Sequence, residues 1–572
     1  MRRPVGSARR RPPGLGGALV LAALAASGCA GPVAAPPEAP GAFRVRADVG
    51  APLDADAGWA AGPNEPAVVA ADRPFRIRFE AAPAPADSLR LQVRRNGGPW
   101  EPVGAHDFPY PEAATPRVSV VSTGAYDDGA ATGDLLGGSA LPFRPGAGVS
   151  LRAANAAGAG AGHGEWEWPL VVRRYADGPV VNEPGDTFAF RLVDDAGRPV
   201  PAPVAEVTLE VSPGHLGGTF VETPGRVGPW QVSSGDLYFV MEPTETDNVM
   251  MVVTSSDGGA TWREADGAGR PAADDLEGVG TALADGTLHV LHQTSDAVWY
   301  HAFRTSEHTT SPDTWAVTDE LVAEPGEPPT QVASLVARSD GSLVAVYGGP
   351  ETIHLQTRSA SGAWAGPVAV APGGPVESGP HLAHGADDAV HLAYTDSEGG
   401  AWVRRLLRDG ALTPAQRVAD GLDTTEFDVG AVAPLAVLPD AVVVVYRRPG
   451  GGLWSRRVAA GGALGEPVRV TDRSAAQNPV DSDQVGADVV AVDGRVHLLF
   501  IEEGTGHLYH VTSGEAGAWG PARLVADDVR AQWVRGLPVT RPGGARVYGY
   551  VVDGGSDGGS GMNRYDEVPL DR

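Results

Sequence analysis

Ser255-Ser256-Asp257-Gly258-Gly259-Ala260-Thr261-Trp262 lies between two short extended runs. Val252 and Val253 lead into it, and Trp262 and Arg263 lead out of it. Asp257 is placed to accept hydrogen bonds from the N–H groups of the turn itself, and Gly258 and Gly259 permit positive φ. Trp262 offers a large apolar body with one N–H to satisfy, suited to packing between neighbouring sheets. The stretch therefore predicts a tight hairpin, and by itself it speaks for architecture rather than chemistry.

Outward from this turn the chain repeats. A polar or glycine turn precedes a six-residue apolar strand that usually ends in an aromatic residue. The copies are 236–241, 287–292, 342–347, 389–394, 441–446, 495–500 and 545–550. Second strands follow at 250–254, 298–304, 353–357, 402–406, 453–457 and 508–511. Strands recurring at a period of about fifty residues predict four-stranded blades in a ring. Seven copies favour seven blades, with six as the alternative. The last repeat lacks a fourth strand, and Gly217-Gly218-Thr219-Phe220-Val221 is the stretch expected to supply it and close the ring without an open edge.

Residues 44–212 carry strand signals of another kind. Phe75-Arg76-Ile77-Arg78-Phe79 and Leu89-Arg90-Leu91-Gln92-Val93 alternate with period two. Trp100, Phe108 and Tyr110 are available for a small core, and the expectation is a β-sandwich with connecting strands. Residues 30–43 are Ala/Pro-rich and read as a tether. Before them, residues 1–29 form a targeting segment. Arg2, Arg3, Arg9, Arg10 and Arg11 precede an apolar run too short to span a membrane permanently. Ala26-Ser27-Gly28-Cys29 then resembles a bacterial lipobox, and Cys29 is the one cysteine in the chain. The fold class expected is all-β: a sandwich at 44–212 followed by a propeller at 213–572. The expected location is the bacterial cell envelope, exported, held by an acylated Cys29 and by no transmembrane helix.

The stretch at 255–262 has the form Ser-x-Asp-x-Gly-x-Thr-Trp and resembles the Asp box of the sialidase-like (BNR/Asp-box repeat) β-propeller superfamily. Degenerate versions stand at 359–364 and 513–519. The sialidases it resembles have six blades, so seven repeats depart from the pattern. The resemblance implies an exo-α-sialidase-like glycosidase, or a polysaccharide lyase, as the enzymatic reading. Sialidases use three convergent arginines for a carboxylate, a Tyr–Glu nucleophile pair and an Asp acid/base. Arginine suits that role because its planar fork binds a carboxylate bidentately. Arg447, Arg448, Arg473 and Arg530 are the arginines on offer, and Tyr394, Tyr446, Glu502 and Asp396 could fill the other roles. None stands in a motif that matches the family. Phe75-Arg76-Ile77-Arg78 resembles the family's Phe-Arg-Ile-Pro motif but lacks the proline and precedes the repeats.

Charge narrows the function further. The formal net charge is −27, and all 44 basic residues are arginine. An acidic chain is a poor partner for nucleic acid or anionic lipid, and the absence of lysine excludes Schiff-base and P-loop chemistry. Topology places the b–c loops of all blades at the end opposite the Asp-box turns. The b–c loops supply Glu242, Glu245 and Asp247, then Gln293, Asp396, Arg447 and Arg448, Glu502 and Glu503, and Asp553. From this rim the candidate catalytic residues are Asp396, Glu502 and Tyr446. The candidate ligand-binding residues are Glu242, Glu245, Asp247, His292, Arg447, Arg448 and Asp553. His289, His391 and His497 occupy one repeat position, which points to packing or hydrogen bonding. No cofactor is expected, with Ca²⁺ at Asp481 and Asp483 the one candidate. The reading favoured is a propeller that binds a glycan or another surface partner, with sialidase-like hydrolysis as the alternative. If Cys29 carries the anchor, Cys29→Ala moves the protein from the membrane fraction to the soluble fraction without unfolding it. Retention after a high-salt wash would place the anchor elsewhere.

Overall fold

The computed structural model describes residues 41–82, 87–105, 117–137, 141–150, 152–157, 162–175, 181–218, 225–243, 249–267, 269–272, 278–306, 315–326, 333–372, 380–396, 398–422, 434–450, 452–475, 486–514, 517–527, 533–553 and 563–570. The targeting segment with Cys29, the tether up to residue 40, Glu245, Asp247, Asp481, Asp483 and Arg530 lie outside them. The described residues form strands and turns only, and no helix among them is long and apolar enough to cross a membrane.

Two sheets form the first domain. One has the order Phe43–Ala47, Phe75–Ala81, Gly164–Val172, Val118–Val120, Gly104–Ala105. The other has the order Ala67–Ala70, Ala205–Glu210, Thr187–Asp194, Ser88–Arg95, Glu101–Pro102, with Asn155–Ala156 also pairing to Ser88–Arg95. Phe75, Ile77 and Phe79 join Trp166, Trp168 and Phe190 in the core between them. Period-two alternation predicts a polar second face on Phe75–Ala81, yet every residue of that strand is buried. Arg76 and Arg78, with Arg46 on the neighbouring strand, meet Glu165 and Glu167. Glu167 lies 2.5 Å from Arg46, 3.0 Å from Arg76 and 3.2 Å from Arg78. Arg78 also pairs with Glu165. The same guanidinium groups draw the 51–56 loop over the face by donating to the carbonyls of Leu53 (2.8 Å) and Ala55 (2.9 Å). Burial raises the Glu165 carboxyl, against which Arg78 and the N–H groups of Leu135 and Leu136 pull downward.

Seven sheets follow in chain order, at 230–264, 278–323, 333–372, 381–419, 435–474, 487–526 and 534–569. The first six have four strands, a to d, and the seventh has three among the described residues. Every strand pairs antiparallel with the next. The a strands of sheets two to seven lie successively against one another, that of sheet seven reaches that of sheet one, and the Trp230 indole of sheet one donates to the Thr281 hydroxyl of sheet two at 2.7 Å. This is a β-propeller ring. Apolar runs at the b strands form because those strands are buried on both faces: Ala441–Arg447 and Leu237–Met241 are buried throughout. Sheet seven is joined on its outer edge by residues 214–216. Tyr565 donates to Gly214 O (2.8 Å) and Leu216 donates to Asn563 O (2.8 Å). The closing segment thus starts a few residues earlier than the sequence pattern suggests, and 219–221 lie outside the described residues.

The turn at 255–262 has the local bonding anticipated from its residues. Asp257 accepts from the N–H of Thr261 (2.9 Å), the hydroxyl of Thr261 (2.6 Å) and the hydroxyl of Ser255 (2.8 Å). Burial works to raise the Asp257 carboxyl, but these bonds outweigh it and hold it below its ordinary value. Gly259 (φ +92°) faces Tyr565 of sheet seven so closely that a Cβ would lie 2.1 Å from the ring. Trp262 packs on the same tyrosine, centroids 5.6 Å apart, and its indole N–H donates to Gly259 O at 3.0 Å.

Two substitutions check these assignments by denaturant midpoint. Trp262→Ala costs roughly 3–5 kcal/mol, as for other truncations of buried aromatic residues. An unshifted midpoint would remove Trp262 from the seam. Glu167→Ala leaves three guanidinium groups short of a partner and costs roughly 3–5 kcal/mol, the usual loss when one side of a buried ion pair is deleted.

Candidate functional site

The ring has two ends, one formed by the b–c and d–a loops and the other by the a–b and c–d turns. The residues expected to carry function belong to the first. Glu242 leaves the b strand of sheet one and is buried. His292 lies inside the b strand of sheet two, with its ring 6.2 Å from that of His301. Gln293 beside it exchanges hydrogen bonds with Gly348 of sheet three (2.8 and 2.9 Å), tying two sheets together. Asp396 closes its own loop. It accepts from the N–H groups of Gly400 (2.7 Å) and Glu398 (3.0 Å) and from the Trp402 indole (2.5 Å). Asp553 ends the b strand of sheet seven, Arg546–Asp553.

Four of the charged residues meet where sheets five and six adjoin. Arg447 donates to Ala475 O at 2.9 Å and stands 3.7 Å from Glu503. Arg473 pairs with Glu502 and lies 4.1 Å over the Tyr509 ring. Thr505 donates to Glu502 at 2.9 Å. Burial tends to raise the Glu502 carboxyl, yet the bonds from Arg473 and Thr505 prevail and lower it. Arg448 rests 4.3 Å over the Trp454 ring. Tyr446 is buried between sheets four and five. The structure therefore gathers Arg447, Arg473, Glu502 and Glu503, and distributes Glu242, His292 and Asp396 among three other sheets.

The other end holds a concavity. Between sheets four and five a cleft of about 500 Å³ opens, within the range of small-molecule sites. Its floor is Val403, Val437, Val442 and Val458. Its polar residues are Asp387, His391, Arg404, Arg405, Thr413 and Gln416. Asp387 accepts from Arg405 at 2.5 Å, and Arg405 also donates to Ala460 O at 2.9 Å. Two buried polar atoms have no hydrogen-bond partner: Nδ1 of His391 and Nε of Arg405. His391 is only 6% exposed, and burial lowers its pKa to about 4, with Arg405 adding to the effect. The imidazole is therefore neutral, one nitrogen a donor and the other an acceptor.

The cleft lies beside two positions that recur in the repeat. The histidine position of the b strand faces the next sheet, beside a residue two places before its partner on strand c. In sheet two that residue is Tyr300, which bonds His289 at 2.7 Å. In sheet six it is His510, 3.2 Å from His497. In sheet four it is Val403, too short and without a polar atom. The following sheet's c–d turn also contributes to each seam. Trp364 packs on Tyr300, centroids 5.8 Å apart, and Trp519 donates to Ser455 at 2.8 Å. In sheet five the corresponding residue is Leu464, placed by its bridge to Val458 as Trp364 is by its bridge to Arg358. Both positions are aliphatic in this seam, as they are between sheets three and four, where Leu355 and Leu412 pack together in the core.

No protein-family model matches the chain, and no curated protein does. Solved structures similar to it include three lectins. The BP39L lectin from Burkholderia pseudomallei is 12% identical with a TM-score of 0.42, over 62% of this chain and 99% of that one. AofleA from Arthrobotrys oligospora is 8% identical with a TM-score of 0.37, over 62% and 96%. The six-bladed Aleuria aurantia lectin is 12% identical with a TM-score of 0.34, over 52% and 94%. Among the described residues no group of three His, Cys, Asp or Glu could hold a metal ion.

The imidazoles make a pH prediction. Burial lowers His289, His292, His391, His497 and His510 to about 4 and His301 to about 3. In the unfolded chain each takes up its proton near pH 6.5. The unfolded state thus binds more protons between about pH 6.5 and 4, and stability falls as pH drops through that window. Thermal midpoints measured from pH 7.5 to 4.5 check this. A flat profile would show that these rings are solvated.

Proposed function

We propose that this protein is an exported, lipid-anchored β-propeller that binds carbohydrate without cleaving it, with a neutral saccharide held in the cleft between sheets four and five. The observation that carries the reading is a cleft of small-molecule size whose lining combines valines with His391, Arg405 and Gln416. A sugar hydroxyl both donates and accepts, so it satisfies either imidazole tautomer and also accepts from the guanidinium. The C–H face of the ring suits the valines beneath. Asp387 offsets the charge of Arg405, which favours an uncharged ligand.

Binding is favoured over hydrolysis by the state of the opposite rim. Asp396 is saturated by its own loop and Glu502 by Arg473 and Thr505. The Glu502 carboxyl is lowered, the opposite of what a general acid requires. Arg447 and Arg473 face Glu503 and Glu502, so neither presents an unopposed fork to a substrate carboxylate. Envelope localisation rests on the targeting segment and Cys29, and it fits a protein that captures glycans outside the cytoplasm.

Val403→Tyr tests the site. The new hydroxyl stands where Tyr300 does and bonds His391, and the ring fills the cleft. On an array of neutral glycans the expected result is loss of every signal seen with the wild type, with the thermal midpoint kept or raised. Glycan binding that survives both Val403→Tyr and His391→Ala would remove this cleft as the site. Turnover of a sialoside by the wild type would replace binding with catalysis.

A further inference from the structure

Sheet seven leaves a second opening. Among the described residues the closing segment pairs with the outer strand at 563–565. Beyond that pairing, toward residues 567–569, a cleft of about 560 Å³ separates sheet seven from sheet six. Directly opposed residues share a face of a sheet, and Arg523 opposes His510 while Thr512 opposes His497. Two residues along the same strand, Arg495 shares the face of His497. One face of sheet six thus presents Arg495, Thr512, His510 and Arg523 to the cleft.

Among the described residues neither the Arg495 nor the Arg523 guanidinium has an ion-pair or hydrogen-bond partner. In a chain of net charge −27 two unopposed guanidinium groups in one concavity are out of keeping with the rest of the surface. The one described carboxylate of the lining, Glu567, is already engaged by Arg541 and by the Tyr565 hydroxyl at 2.6 Å. The local field is registered by the two stacked imidazoles of this face. Burial first, then neighbouring charges that include Arg495 for His497 and Arg523 for His510, hold both to about 4. Leu524, 49% exposed, and Val568 give the cleft an apolar wall.

We propose that this cleft is a separate binding site for a carboxylate-bearing saccharide of the uronic acid class. It stands whether or not the cleft between sheets four and five takes sugar. The guanidinium forks take the carboxylate, and Thr512 bonds ring hydroxyls. Leu524 and Val568 meet the C–H face of a pyranose. An acidic peptide would bring the same carboxylates but no hydroxyls for this polar face, and is the less suited occupant.

Calorimetric titration of the full chain with a short oligogalacturonate tests the proposal, with its methyl ester and an oligoglutamate as comparisons. The oligogalacturonate should bind, with affinity falling as salt rises, and the ester and the peptide should bind about tenfold more weakly or not at all. Arg495→Ala and Arg523→Ala should each lose about tenfold, and Arg523→Lys, which keeps charge but not the fork, a similar amount. Val403→Tyr should change nothing here, which separates failure of this site from failure of the other. If either alanine variant fails to fold, the wild-type contrast between acid and ester decides. Equal binding of acid and ester, or a preference for oligoglutamate, overturns the proposal, as does no binding of oligogalacturonate.

Discussion

Each sheet of the ring is buried on both faces, so every seam between neighbours has to be filled from two sides at once. That requirement governs the rest of the structure. It makes the b strands continuous apolar runs rather than alternating ones. It assigns the c–d turn of one sheet to the c strand of the sheet before it, as Trp262 is assigned to Tyr565, Trp364 to Tyr300 and Trp519 to Ser455. It also decides where ligands can enter. A seam that receives a tryptophan is solid. The seam between sheets four and five, and the one between sheets six and seven, each keep a volume that something else can occupy.

The repeat was legible because a buried strand must be apolar and its turns must be polar, so period and strand positions follow from hydropathy alone. The turn at 255–262 was legible because its hydrogen bonds are local and each needs a particular residue. The closing segment was harder to place. Gly214 and Leu216 are joined to sheet seven by backbone groups, which leave no signature in side-chain pattern, and the glycine-rich stretch just after them looks more like the candidate. The cleft between sheets four and five was not legible, because its aliphatic pair Val403 and Leu464 has a counterpart, Leu355 and Leu412, in the packed seam between sheets three and four. Nor does sequence reveal that Glu502 and Asp396 spend their lone pairs on neighbours.

In the first domain the misleading feature was alternation itself. Arg76 and Arg78 look like the solvent face of a half-buried strand, and in isolation they would be. Glu165 and Glu167 lie on the paired strand with the same spacing, so the two polar faces neutralise each other and can be covered. Covering them orders the 51–56 loop by charge-assisted bonds to its carbonyls. Burial is thereby extended over a surface that hydrophobicity alone would have left wet, at the cost of desolvating five charges that must all be matched.

The short pairing between residues 214–216 and 563–565 has a consequence in time. Its two halves are about 350 residues apart in the chain, a separation that makes loop closure slow and late. While a ribosome or a translocon delivers the chain, six sheets can assemble from neighbouring segments, but the circle cannot shut until the strand at 563–569 has emerged. Until then the outer edge of sheet seven and the inner flank of sheet one are unprotected. A chain that lacks this one contact would therefore leave both flanks of the ring unpaired, and unpaired strand edges invite association with other chains.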